Sequence, residues 1–201
     1  YQAINGKTVK GPKGEEIAVQ IVPRDAASAG ADKAKQLAEE LILREKVQRL
    51  AGFELSPHAL AVGPTITEAK IPTVIMNAAT AMITRTSPYF VRTSDTLPQW
   101  AAVMGQYAAE SGKKTAVTMT ADYATGHDAA DYFKRAFEKG GGKVIGAEKN
   151  PMTETNFSVY MEKVLQMKPD CIYMFQGGGS PSISFVKAYT ERGLKQAGIQ
   201  L

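Results

Sequence analysis

The sequence predicts an α/β protein in two halves, each a parallel sheet flanked by helices. Three observations lead there. Short apolar runs alternate with stretches of helical periodicity along the whole chain. Helices of that length between strands imply parallel strands covered on both faces. The scheme also restarts after "SGKK" (Ser111–Lys114), which puts a change of half between about Ser94 and Lys113.

The elements are expected in this order. Ile17 to Val22 alternates and runs apolar as a first strand, and Ala31, Ala34, Leu37, Ala38, Leu41 and Ile42 recur at helical spacing. Val47 to Phe53 reads as a short strand ended by Gly52. Ser56-Pro57 then reads as an N-cap followed by Pro at the first helical position, opening a helix to Ala69. "IPTVIM" (Ile71–Met76) is a compact strand and "YFVRTS" (Tyr89–Ser94) another. Thr96 to Glu110 is a helix with Trp100, Val103, Met104 and Tyr107 on one face. In the second half "TAVTMT", "KVIGAE" and "CIYMF" are strands. Asp128 to Lys139, Asn156 to Met167 and Pro181 to Arg192 are helices.

The stretch "MFQGGGSPSISF" (Met174–Phe185) decides between an enzyme and a binding protein. A glycine loop between strand and helix can cradle phosphate. Gly177 and Gly179 supply two positions of a dinucleotide fingerprint, but Ser182 stands where the third glycine belongs. Read as a phosphate-binding P-loop, the run again meets Ser182, and no Lys follows. Three readings stay open: a nucleotide site, a seat for another small polar or anionic ligand at a helix N-terminus, and a plain turn. The same order of strand, small-residue loop, Ser-Pro and helix recurs in the first half as "GFELSPHALA" (Gly52–Ala61). Strand carboxyl ends are where open α/β sheets bind ligands. Gly140 to Gly142 follows a helix and precedes a strand, which is explained as a helix C-terminus.

Composition narrows the function classes. The chain has 201 residues, 44% hydrophobic and 22% charged, enough for a real core. Lys plus Arg is 24 against 20 Asp plus Glu, without a basic run of the kind that tracks nucleic acid. No stretch approaches the roughly 18 apolar residues of a membrane span. The chain opens on Tyr1, consistent with a processed leader. Cys171, the single cysteine, lies in an apolar strand and reads as a buried small hydrophobe. His58 and His127 are far apart; His58 reads as solvated or on the rim of a site rather than as a base. Asp122, His127 and Asp128 are close in sequence but straddle a turn, a poor metal set. No nucleophile elbow is present, so neither catalysis nor a cofactor is expected.

Six stretches in order carry a resemblance: Ile17–Ser28, Ala29–Gly52, Pro72–Ile83, Tyr89–Glu110, Lys113–Glu148 and Glu154–Lys195. Together they resemble the periplasmic solute-binding proteins of branched-chain amino acid ABC importers. The resemblance implies two Rossmann-like lobes of the type I bilobed kind, with residues 1–95 a partial first lobe lacking its first strand. It makes 96–112 a crossover and hinge region and 113–201 a partial second lobe. The whole looks like an internal fragment of a longer chain.

The resemblance also implies a function: capture of a small carboxylate-bearing ligand, an amino acid or a related acid, and delivery to an ABC permease in the inner membrane. The location it implies is periplasmic, or extracellular and membrane-anchored in a Gram-positive host. No nucleic acid or metal is involved in that reading. A ligand-sensing domain of a receptor or regulator with the same fold is the alternative, and an enzyme using the glycine loop a distant third. Residue by residue, Ser56, Ala78 and Thr80 match the first-lobe positions that hold the ligand's charged groups. Phe53, Glu54, Asn77 and Ala79 flank them. Tyr123, Thr125, Gln176, Gly177 and Gly178 match second-lobe positions that close over the ligand. The departures are informative. Thr125 stands where many members carry an aromatic residue, with Tyr123 compensating. Gly178, Gly179 or Ser180 replaces a tyrosine and widens the pocket, and Phe53 and Glu54 replace smaller residues. A larger, aromatic acid therefore fits the pattern as well as leucine does.

Overall fold

The computed structural model describes residues 5–26 and 30–201, so the end of the Ile17–Ser28 stretch and the start of the next lie outside the described residues. The elements are β1 (Thr8–Lys10), β2 (Glu16–Ala18), α1 (Ala31–Leu43), β3 (Leu50–Gly52), α2 (Ser56–Ala69), β4 (Thr73–Ile75), α3 (Ile83–Thr86) and β5 (Phe90–Arg92). They continue with α4 (Leu97–Glu110), β6 (Thr115–Ala121), α5 (Ala124–Lys139), β7 (Lys143–Asn150), α6 (Ser158–Met167), β8 (Cys171–Phe175) and α7 (Ser180–Glu191). Two parallel sheets result, ordered β3-β4-β5 and β7-β6-β8. The predicted alternation of strand and helix is thus observed from α1 onward.

The first predicted strand is a correction. Only Glu16–Ala18 is extended in a ladder, and it pairs antiparallel with β1 as an exposed hairpin. The following backbone closes locally: Val19 N–H donates to the Lys7 carbonyl and Ile21 N–H to Asn5 Oδ1, each at 2.8 Å. Among the described residues no strand lies on the outer side of β3, so the apolar run at 17–22 has no sheet to join. Likewise Val47–Phe53 shrinks to Leu50–Gly52, because Phe53 turns to φ +66° and leaves the extended region.

Each sheet has its own core. Leu50, Val62, Ile66, Ile75, Ile83 and Phe90 pack around the first. Val117, Met119, Phe157, Met161, Ile172, Phe185 and Leu194 pack around one face of the second. The other face of the second sheet is covered by α4 and α5 through Ala101, Ala108, Ala116, Phe133, Phe137 and Cys171. The expected apolar face of α4 does not supply this contact: Trp100, Val103, Met104 and Tyr107 are 47–66% exposed. The buried face is instead Leu97, Ala101, Gly105 and Ala108. Small residues win because α4 presses closely on α5; an added Cβ at Gly105 would run into the Phe133 carbonyl. The start of α4 is fixed by a reciprocal cap between Thr96 and Gln99.

Asp170 ties β6 to β8. Its Oδ2 accepts from the Lys114 N–H at 2.7 Å, the Thr115 N–H at 2.8 Å and Thr115 Oγ1 at 3.2 Å. Those donors, the Lys114 amide first, hold its pKa below the ordinary carboxylate value. A folded-state pKa below the unfolded value gives stability that is present above about pH 4 and lost as pH falls through the folded value. Denaturant titrations should therefore show Asp170→Asn less stable than the parent at neutral pH. The gap should narrow as pH drops below about 4. A gap independent of pH would remove the carboxylate from this role.

Candidate functional site

The carboxyl ends of the two sheets face each other across a junction lined by α2, α5 and the loop after β4. Ser56 is the first residue of α2, and it does not cap the helix as its position before Pro57 suggested: Leu55 is the N-cap and no side-chain cap bond forms. The Ser56 oxygen is employed elsewhere. It accepts the Thr80 N–H at 3.2 Å from the loop after β4, and Thr125 Oγ1 donates to it at 2.6 Å from α5. All three residues are at most 3% exposed. Ser180 is likewise not a cap; Gly179 takes that position at φ +78°, and it is Ser182 Oγ that donates back to the Gly177 carbonyl at 2.7 Å.

Helix α5 begins at Ala124, four residues before the expected Asp128. Gly126 makes the close approach possible, since a Cβ there would collide with the Ala121 carbonyl at the end of β6. Thr125 and Asp128 thereby fall three residues apart on one helix face, directed at the first lobe. Asp128 Oδ2 accepts from Thr80 Oγ1 at 2.6 Å and from the Ala81 N–H at 2.8 Å. Arg92, at the end of β5, donates from Nη2 to the Thr80 carbonyl at 2.7 Å. Burial lowers the Arg92 pKa and the Asp128 charge opposes that shift. Among the described residues the Arg92 Nε and Nη1 atoms and the Ser94 hydroxyl are buried without a hydrogen-bond partner.

Apolar groups surround this polar cluster. Ala79, Leu97 and Ala129 are packed together, with Tyr173 and Phe175 against them. Tyr123 lies 6.2 Å from Phe175, ring centre to ring centre, and burial raises its pKa. Tyr173 stacks on Phe133 at 4.2 Å, and burial pushes its phenol up to about 12.

Ser56, Ala78, Ala79, Thr80, Tyr123 and Thr125 are thus grouped at or beside the junction. Other residues singled out from the sequence are placed apart from the Ser56–Thr125 contact. Phe53 and Glu54 line a cavity of about 250 Å³ with Arg24, Asp25, Leu37 and His58, on the α1 side of the first sheet. His58 is buried there, not solvated. Asn77 is exposed and donates to the Glu54 carbonyl at 3.4 Å. Gln176 is buried and engaged: its amide exchanges two 2.8 Å bonds with Asn150 and donates to the Met119 carbonyl at 3.3 Å. It therefore braces the strand ends rather than presenting its own polar atoms. Gly177 and the exposed Gly178 form the open loop before α7.

Asp128, Arg92 and Asn150 were not expected at the site. His127 Nε2 binds Asp122 Oδ1 at 2.6 Å while Asp128 turns away to Thr80. No cluster of three His, Cys, Asp or Glu is placed to hold a metal among the described residues. Cys171 is buried, as expected, and burial raises its thiol pKa. No helix of the described residues is long and apolar enough to cross a membrane.

A family model described as periplasmic binding protein matches residues 3–201. The Leu/Ile/Val-binding protein homolog 6 of Brucella melitensis is 39% identical over 201 residues, which is all of this chain and 50% of that protein. A solute-binding protein of an ABC transporter from Rhodopseudomonas palustris HaA2, solved in complex with p-hydroxybenzoic acid, superimposes with a TM-score of 0.87 at 43% identity. The match covers 90% of this chain and 50% of that one. A second, from Rhodopseudomonas palustris BisB5 with 3,4-dihydroxybenzoic acid, gives a TM-score of 0.83 at 40% identity, covering 94% and 51%. The chain spans about half the length of the relatives it matches. The two solved relatives are solute-binding proteins of ABC transporters, and the Brucella relative is a Leu/Ile/Val-binding protein homolog.

The reciprocal Asn150–Gln176 pair is the buried support of the second-sheet rim. Asn150→Ala leaves both ends of the Gln176 amide short of a partner and should cost about 1–3 kcal/mol in chemical denaturation. A loss below about 0.5 kcal/mol would mean that the pair carries none of the rim's stability.

Proposed function

The chain belongs to the periplasmic binding protein family, and from that premise we propose that it is part of a solute-binding protein of an ABC importer whose cargo is a small aromatic carboxylic acid. The observation that carries this reading is the junction itself. A serine hydroxyl at the start of α2, a threonine from the loop after β4 and a threonine from α5 converge within hydrogen-bond reach. Hydroxyls, backbone N–H groups and a helix N-terminus suit a carboxylate, because each offers a hydrogen-bond donor to its oxygens.

The neighbourhood suits a ring. Tyr123 and Phe175 stand beside the junction, and ring pairs of this kind accept a flat ligand edge-on or offset. Thr125 and the glycines at 177 and 178 leave room that bulkier side chains would take. The crystallised relatives at 40% and 43% identity held hydroxybenzoic acids, which supports the same class here. Family membership supports a location outside the cytoplasm and a membrane permease as partner. Its work is capture and release. The polar side chains orient and satisfy the acid group, and the closing of one lobe on the other excludes water.

The direct test is a thermal-shift and calorimetric screen of the intact protein against 4-hydroxybenzoate, 3,4-dihydroxybenzoate, benzoate, leucine and nucleotides. A ligand at a hundred times its Kd stabilises the fold by about 2.7 kcal/mol. The aromatic acids should raise Tm; a response to leucine alone would overturn the aromatic assignment. Ser56→Ala and Thr80→Ala should each weaken acid binding by about 1–3 kcal/mol. Parent-like binding in both would move the ligand away from this junction.

A further inference from the structure

Asp128 has an unusual position for a carboxylate beside a site meant for acids. It belongs to α5 in the second lobe, yet both hydrogen bonds recorded for its Oδ2 come from the first: Thr80 Oγ1 at 2.6 Å and the Ala81 N–H at 2.8 Å. Arg92, which donates to the Thr80 carbonyl, is a positive charge that feels the Asp128 field. A hydroxyl, a backbone N–H and a nearby guanidinium are together the seat of an anion. Here a side chain of the protein occupies that seat.

We propose that Asp128 is a built-in competitor for the carboxylate of the ligand: it sits on the donors of Thr80 and Ala81, and an acidic ligand binds by displacing it. This rests on the reading that the cargo is an acid. Two carboxylates cannot share the Thr80 and Ala81 donors, since like charges at that distance repel. Arg92 serves whichever of the two is seated, and its unpartnered Nε and Nη1 atoms leave it donors to spare. Thr125 on Ser56 and Asp128 on Thr80 are hydrogen bonds that run directly between the two halves. The exchange makes affinity a difference between two similar interactions, so the cleft holds its cargo loosely enough to release it.

The alternative role for a cleft carboxylate, pairing with the ammonium of an amino acid, predicts the opposite response to substitution. In the intact protein, parent, Asp128→Asn and Asp128→Ala would be titrated calorimetrically with 4-hydroxybenzoate, its neutral analogue 4-hydroxybenzamide, and leucine. Removing the competitor should tighten 4-hydroxybenzoate binding about tenfold in Asp128→Ala, the size of one lost charge-assisted bond, and by less in Asp128→Asn. The neutral amide should change less. Unchanged or weaker acid binding in both variants overturns the proposal, as does a loss of leucine binding in both. Small-angle scattering without ligand gives an independent reading: Asp128→Ala should have a larger radius of gyration than the parent. Superimposable curves overturn a role for Asp128 in holding the two halves together. If the parent binds no aromatic acid, the cargo assignment fails on its own, and the scattering comparison still decides whether Asp128 holds the lobes together.

Discussion

One oxygen constrains the rest of this molecule. Ser56 Oγ is buried, and a buried hydroxyl must find partners or cost the fold its lost hydration. Its partners come from two places that share no secondary structure, the loop after β4 and the first turn of α5. The start of α2, the turn at Ala78–Thr80 and the docking of α5 are therefore settled together. Gly126 is needed for α5 to come that close to β6, and that approach carries Thr125 to its place. α2 has no side-chain cap because its N-cap position falls on Leu55, one residue before the serine.

Around that contact the two sheets contribute differently. The second sheet is braced on every side: Asp170 fixes the start of β6, Asn150 and Gln176 lock the rim at its end, and α4 presses on α5 through small residues. It moves as a unit. The first sheet has an outer strand, β3, without a neighbour among the described residues, and a cavity beside it lined by charged and apolar groups alike. Its firm part is the inner edge, where α2, β4 and β5 meet the junction. Hydrogen bonds between side chains of the two units thus gather where α2 and the loop after β4 meet α5.

Most of the fold is legible in the sequence because buried parallel strands write themselves as short apolar runs and the helices between them as periodic ones. β6, β8, α2 and α7 are read nearly to the residue, while the strand expected over Ile71–Met76 is halved to Thr73–Ile75. The failures have a common cause. The 17–22 run is strand-like but has no sheet partner, and periodicity carries no information about partners. In α4 the large apolar residues suggested the buried face, whereas close helix packing selected alanine and glycine. At the site, Ser56, Thr80 and Thr125 were accessible through motif position. Asp128 was not, because its role depends on α5 starting at Ala124, and a helix start without a capping residue leaves no local mark. Arg92 and Asn150 are ordinary polar residues in sequence, and only the fold gives them neighbours.

The exposed stripe of α4 has an optical consequence. Trp100 is the only tryptophan in the chain and is 48% exposed. Its indole Nε1–H donates to Asp95 at 3.3 Å, on the segment that joins the last strand of the first sheet to the helix covering the second. A half-solvated indole tethered to a connecting segment changes its emission when that segment rotates. The chain therefore carries its single tryptophan, which can be excited apart from its eight tyrosines, on the segment that joins its two sheets.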